Sequence, residues 1–209
     1  MITMKRKGRF TPQEITLCGL WSALVALGSF IKVPLPVVPF TLQFLFANLA
    51  GLLLGSRMAA VVVGTYIALG LMGLPIFYGG YGGISYILNP NFGFVVGILL
   101  GAYFCGMIAN TSTPPCYGKY LFAGLCNMGI IYFLGFVYYG SISNYYLQMS
   151  MNMGYLTLYL VLLVMPGDVL LCFASAAIAQ RVIPILTSRW NVLGHRQTVP
   201  ARFDMITDP

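Results

Sequence analysis

Charge is missing from most of this chain, and that absence constrains its fold more than any motif does. Between Arg57 and Lys119 no residue is charged, and none is charged between Lys119 and Asp168. Of the 209 residues, 7% are charged and 59% are hydrophobic. Soluble domains carry about 25% charged residues. A chain so poor in charge cannot clothe a water-facing surface. It reads as an all-α integral membrane protein, one compact bundle with no room for a second soluble domain.

The apolar runs divide into six spans: residues 15–31, 40–54, 58–73, 92–109, 120–139 and 169–186. Their lengths lie near the roughly 17–25 residues that cross hydrocarbon, the second being the shortest. Residues 155–165 are apolar too, but too few to span. Pro166-Gly167 divides them from the sixth span, which leaves 155–165 as a re-entrant or surface helix on the outer side. Residues 1–14 form a basic head, 15–188 the membrane domain and 189–209 a polar tail. The first run follows Lys5, Arg6, Lys7 and Arg9, as a signal peptide does. It is long for one and lacks a small-x-small cleavage site, so it reads as a retained helix.

Six spans place both termini on one side. That side collects Lys5, Arg6, Lys7, Arg9, Arg57, Lys119, Arg181, Arg189, Arg196 and Arg202, and the other has Lys32 alone. Positive charge gathers on the cytoplasmic face, so both termini are expected there, in a multi-pass inner (plasma) membrane protein. The net charge of +7 is thus an orientation signal rather than a nucleic-acid footprint. Three outer links, 33–39, 74–94 and 140–165, carry no charge. The middle one holds Gly79, Gly80, Gly82, Gly83 and Gly93 with Tyr78, Tyr81 and Tyr86. Such a loop is built to fold back on something apolar, with bare backbone free to approach closely. A ligand pocket closed by these three links, opening outward, is the expected site.

Few residues are available for chemistry. Asp168 and Lys32 are the charged groups of the outer half, and an ionisable group near the membrane interior is a functional candidate. Alternatives stand beside each: Asp168 as a helix N-cap, Lys32 as a helix C-terminal cation that snorkels outward, or the two as a pair. Gln43 suits either a ligand or a neighbouring helix, whereas Asn48 and Asn127, lying deeper, suit helix–helix hydrogen bonds. Tyr81, Tyr86 and Asn89 offer an aromatic wall and directed hydrogen bonds, or belong to the interfacial belt. Gly93, Gly97 and Gly101, and likewise Gly19 and Ala23, recur every fourth residue. That spacing reads first as internal helix packing, and alternatively as docking to another membrane subunit.

Catalysis finds no support. The single histidine, His195, is in the tail, and no carboxylate partners Asp168 in a dyad. A Walker-type nucleotide loop is absent, the five cysteines show no paired spacing, and no metal-ligand cluster is seen.

With these residues in view the chain is similar to the BioY family, the biotin-binding S components of energy-coupling factor (ECF) vitamin transporters. The stretch IKVPLPVVPFTLQ at residues 31–43 resembles that family's first outer loop. LAGLLLGSR at 49–57 resembles its next inner turn. GLMGLPIF at 70–77, GGYGG at 79–83 and NPNFGF at 89–94 resemble its third loop, and PGD at 166–168 the start of its sixth helix.

The resemblance implies a six-helix bundle that holds biotin near the outer face, with Asp168 as a ligand residue. Read onto this chain, the binding set is Asp168, Gln43, Tyr86 and Asn89, with Gly82, Tyr81, Phe40 and Lys32. It also implies docking on a transmembrane coupling subunit that works with ATPase subunits. The family's Ala-x3-Ala docking pattern is here Gly19-x3-Ala23. No cofactor or nucleotide site is implied in this chain. One departure stands out: the family pattern Pro-Gly-Asp-x-x-Lys has Leu171 in place of the lysine, and we expect Lys32 to supply the missing charge. A self-contained facilitator or channel for a small solute is the rival reading, and it requires a continuous polar lining.

Overall fold

A computed structural model describes residues 10–33, 40–110, 116–146, 148 and 153–192. The basic head at 1–9, the prolines of the first link, the turn at 111–115 and the tail beyond 192 lie outside the described residues.

Among the described residues the chain is almost wholly helical. In order come α1 (Pro12–Phe30), α2 (Gln43–Leu54), α3 (Ser56–Leu71), α4 (Phe92–Ala109), α5 (Tyr117–Ser141), α6 (Met153–Tyr159) and α7 (Met165–Val192). Strands β1 (Lys32–Val33) and β2 (Phe40–Thr41) pair antiparallel across the first link. A 3-10 turn, Ile84–Leu88, precedes α4.

Helix α1 begins at a capping box. Thr11 Oγ1 accepts from the Glu14 N–H at 3.3 Å, and Glu14 Oε2 accepts from the Thr11 N–H at 2.8 Å. Both free amides are thereby satisfied, and Pro12 fits the first turn because it has no N–H to lose. Between α2 and α3 the chain reverses at Gly55, whose φ of 85° is a left-handed conformation open to glycine.

Among the described residues four helical stretches are long and apolar enough to cross a membrane: Pro12–Phe30, Phe92–Ala109, Tyr117–Asn144 and Gly154–Ile185. The expectation of six full spans is met in part. α2 and α3 have 12 and 16 residues. At 1.5 Å per residue they are about 18 and 24 Å long, short of a hydrocarbon core of about 30 Å.

The sequence reading also broke the last apolar run at Pro166-Gly167, and here the structure corrects it. α6, a π-helical turn at Leu160–Val164 and α7 follow without interruption. Proline cannot donate to the carbonyl one turn back and its ring collides there. A π turn widens the helix at that point and accommodates both defects.

The stripe on α4 does pack internally. A β-carbon on Gly97 would lie 2.8 Å from Ile131 Cα, and Gly93 and Gly101 abut Tyr138 and Asn127 on α5 in the same way. On α1 the packing expectation fails: Gly19 and Ala23 are exposed, and nothing lies within 4 Å of Gly19 where a side chain would begin. Their neighbour Ser22 faces inward instead, its Oγ 2.8 Å from the Val62 carbonyl of α3.

Candidate ligand-binding site

A cavity opens where α2, α4, α5 and α7 converge under β2. Its wall is Phe40, Thr41, Phe44, Phe94, Ile98, Met128, Ile131, Tyr132, Val164 and Asp168. Asp168 is its one ionisable carboxylate, 8% exposed. The Tyr132 hydroxyl donates to Asp168 Oδ2 at 2.7 Å. Gly167, beside it, abuts the Phe40 ring so closely that a β-carbon would sit 2.6 Å from Cε2. Glycine at 167 is what lets the roof of the cavity settle next to Asp168.

The continuous helix bears on the capping alternative. Asp168 does not begin a helix, since α7 continues from the π turn, and it takes its hydrogen bond from Tyr132 rather than from a free helix-start amide. A strong acceptor set in apolar and aromatic walls suits a ligand with a hydrocarbon body and an N–H donor.

Directly below lies a polar knot. Asn48 Oδ1 accepts from Asn127 Nδ2 at 3.1 Å and from Cys105 Sγ at 3.1 Å, and Asn48 Nδ2 donates to Ser175 Oγ at 2.7 Å. Ser175 Oγ in turn donates to the Cys172 carbonyl. None of Asn48, Asn127, Ser175 and Cys105 is exposed. Asn48 and Asn127 stand about one helical turn from the cavity residues Phe44 and Ile131, and Cys105 and Ser175 about two turns from Ile98 and Asp168, so the knot ties four helices together under the cavity's floor. Helix–helix bonding was the expectation for Asn48 and Asn127.

The glycine-tyrosine loop folds back on the bundle, but its interior is filled. Gly79, Gly80 and Gly83 have φ of 85°, 77° and 97°, and the Phe77 N–H donates to the Tyr81 carbonyl at 3.0 Å across the turn they make. Phe77 is thereby driven inward and is fully buried. It stacks on Tyr86 with centroids 4.5 Å apart and meets Tyr66 edge-on at 5.5 Å. The Ile76 carbonyl is held by Ser29 at 2.6 Å and Tyr66 at 3.2 Å.

The expected site residues therefore separate. Asp168 and Phe40 share the cavity. Gln43 is buried on α2 but is not part of the cavity wall: its backbone packs against Gly28 of α1, and its Nε2 has no hydrogen-bond partner among the described residues. Tyr86 is buried in the aromatic cluster, and its hydroxyl has no hydrogen-bond partner among the described residues. Burial pushes that hydroxyl up to about 12, helped by Tyr78 and Tyr81, so it stays a neutral donor. Asn89 is occupied at the start of α4, where its Oδ1 accepts from the Asn91 N–H at 2.9 Å. Gly82 packs against the Leu74 carbonyl, and Tyr81 is 63% exposed. Lys32 does not replace the missing family cation here: it is exposed, and its Nζ lies 4.6 Å over the Tyr78 ring.

The sequence reading missed Tyr132, Phe44, Ile98 and Met128. Each is an ordinary span residue by type, and Tyr132 is 36 positions from the carboxylate it holds. No local pattern marks such a residue.

Comparison with known proteins identifies the family. Residues 4–188 match the model of the BioY family. The chain is similar to "Probable biotin transporter BioY" of Lysinibacillus sphaericus, 36% identical over 175 residues, 84% of this chain and 89% of that one. It is 37% identical to the biotin transporter BioY of Thermotoga maritima over 123 residues, 59% of this chain and 72% of the other. A crystal structure of the S-component for biotin from an ECF-type ABC transporter superposes with a TM-score of 0.68 at 24% identity, covering 83% of this chain and 94% of that one. At that identity the likeness establishes the fold.

Proposed function

The chain belongs to the BioY family, and from that membership and the cavity at Asp168 we propose that it is the biotin-binding membrane subunit of an ECF-type uptake system. It captures the vitamin from outside and passes it inward when partners act on it. It is a transport protein rather than an enzyme.

The observation that carries this reading is a lone buried carboxylate in an otherwise apolar, aromatic cavity. Biotin offers two urea N–H donors, an apolar sulfur ring and a flexible acid tail. Asp168 supplies the acceptor, and Phe40, Phe44 and Phe94 supply a wall for the ring. Gln43 Nε2 and the Tyr86 hydroxyl are spare donors on the outer half and suit the tail if the loop opens. Asn89, Tyr81, Gly82 and Lys32 belong to the loop and hairpin that would have to move to admit it. Opening and closing would be a shift between states whose affinities for biotin differ.

The chain is a multi-pass membrane protein, and the basic bias of its sequence supports cytoplasmic termini with the cavity facing outward. The exposed Gly19 and Ala23 on α1 leave a shallow strip against which a coupling subunit can lie, as small residues do between membrane helices. Energy would come from ATPase subunits attached to that partner.

Titration of purified protein in detergent with labelled biotin tests the proposal. The wild type should bind saturably, and Asp168→Asn should bind at least tenfold more weakly, since a hydrogen bond to a charged acceptor contributes about 1.5–3 kcal/mol. Absence of binding by the wild type removes the reading. Undiminished binding by the variant removes Asp168 from the site.

A further inference from the structure

Asp168 poses a problem that the family assignment leaves open. Its carboxylate is 8% exposed and faces Phe40, Phe44, Phe94 and Ile98. Buried carboxylates ordinarily sit beside a cation. Here Lys32 is turned to Tyr78, and one turn along α7 stands Leu171, packed on the hydrophobic core. The group that does meet the carboxylate is a phenol: Tyr132 Oη donates to Oδ2 at 2.7 Å.

The chemistry of a cyclic urea makes this arrangement informative. Its two N–H bonds diverge on either side of the carbonyl, so one carboxylate meets one of them through one oxygen. The second oxygen then needs a donor from the protein, or it remains an unpaired partial charge in an apolar wall. Tyr132 provides that donor. Its only O–H proton is committed to Asp168, so toward the cavity the pair presents acceptors and no donor. A ligand must bring an N–H edge to be held there.

We propose that Tyr132 is a specificity-determining positioning residue: its hydroxyl holds Asp168 Oδ2 and leaves Oδ1 as the carboxylate's acceptor for one ligand N–H. The inference rests on the reading of this cavity as the biotin site. The ring is well placed to act this way. It packs against two of the hydrophobic clusters, and its neighbour Ile131 lies in close backbone contact with Gly97 of α4.

The test compares wild type, Tyr132→Phe and Tyr132→Phe with Leu171→Lys, titrated with biotin, dethiobiotin and a biotin analogue methylated on both urea nitrogens. Phenylalanine keeps the ring and removes only the hydroxyl. Biotin and dethiobiotin, which share the urea edge, should both lose about tenfold to hundredfold in affinity. The methylated analogue should bind weakly to wild type and be unmoved by Tyr132→Phe, because it has no N–H to place on Asp168. Lysine at 171, one turn from Asp168 on the same helix face, should recover most of the loss. A melting temperature taken without ligand separates this from unfolding, since a purely structural tyrosine would weaken all three ligands alike and gain nothing from the lysine. Wild type that binds biotin, with Tyr132→Phe within twofold of it, overturns this inference alone. Wild type that fails to bind biotin overturns it together with the function proposed above.

Discussion

Gly97 illustrates how much a single missing side chain decides in this bundle. A β-carbon there would press on the Ile131 backbone at 2.8 Å, and backbone cannot yield as a rotamer can. Membrane helices gain little from hydrophobic burial against one another, because lipid is as apolar as leucine, so close approach of this kind is what joins them. Gly97→Val should cost about 1–3 kcal/mol through overpacking. Thermal melting in detergent would show it as a fall in the transition temperature. Because Ile131 and Tyr132 line the cavity, biotin affinity should fall as well. A variant that melts and binds as the wild type does would mean that α4 and α5 are not in contact at this point. The same reasoning at Gly19, where nothing is near, predicts the opposite: substitution there leaves the fold undisturbed.

At the scale of elements, the knot around Asn48 is what registers α2, α4, α5 and α7 against one another. Apolar contacts permit sliding, whereas a hydrogen-bonded amide fixes a helix along and about its axis. Asn48→Leu would leave Asn127 Nδ2 and Ser175 Oγ without their Asn48 partner in the buried interior of the bundle. A loss of about 1–2 kcal/mol is expected, measurable as a lower melting temperature, with ligand binding weakened because the cavity floor loses its register. Replacing Asn48 and Asn127 together by leucine should cost less than the sum of the two single changes, since the second no longer strands a group. Strict additivity would show that the two asparagines are not coupled. The π turn before Pro166 belongs to this scale too. It carries the chain past a proline that sequence reasoning takes for a break, and it sets Asp168 on the inner face of a long helix instead of at the start of a short one.

For the whole molecule, the function proposed above rests on two surfaces, a cavity under β2 and an exposed strip on α1. If the strip docks the coupling subunit, Gly19→Leu should reduce co-purification with that subunit and reduce biotin uptake by cells, while biotin binding by the isolated chain stays unchanged. Normal co-purification would move the docking surface elsewhere. The amino-acid sequence alone determined the class of the molecule, because a chain without charge over such lengths has one solvent in which it can fold. It also determined the ends of α4, and those of α1 and α5 to within three residues, and it singled out Asp168, because these follow from apolar length and from the rarity of an acid among apolar residues. Only the tertiary structure decided what Asp168 meets, that the loop is filled by Phe77, that Lys32 stands apart, and that four helices are knotted under the cavity. The carboxylate's partner and the knot depend on pairs 36 to 127 positions apart in the chain. Side chains so distant are brought together by packing geometry, and neither spacing nor composition carries a record of it.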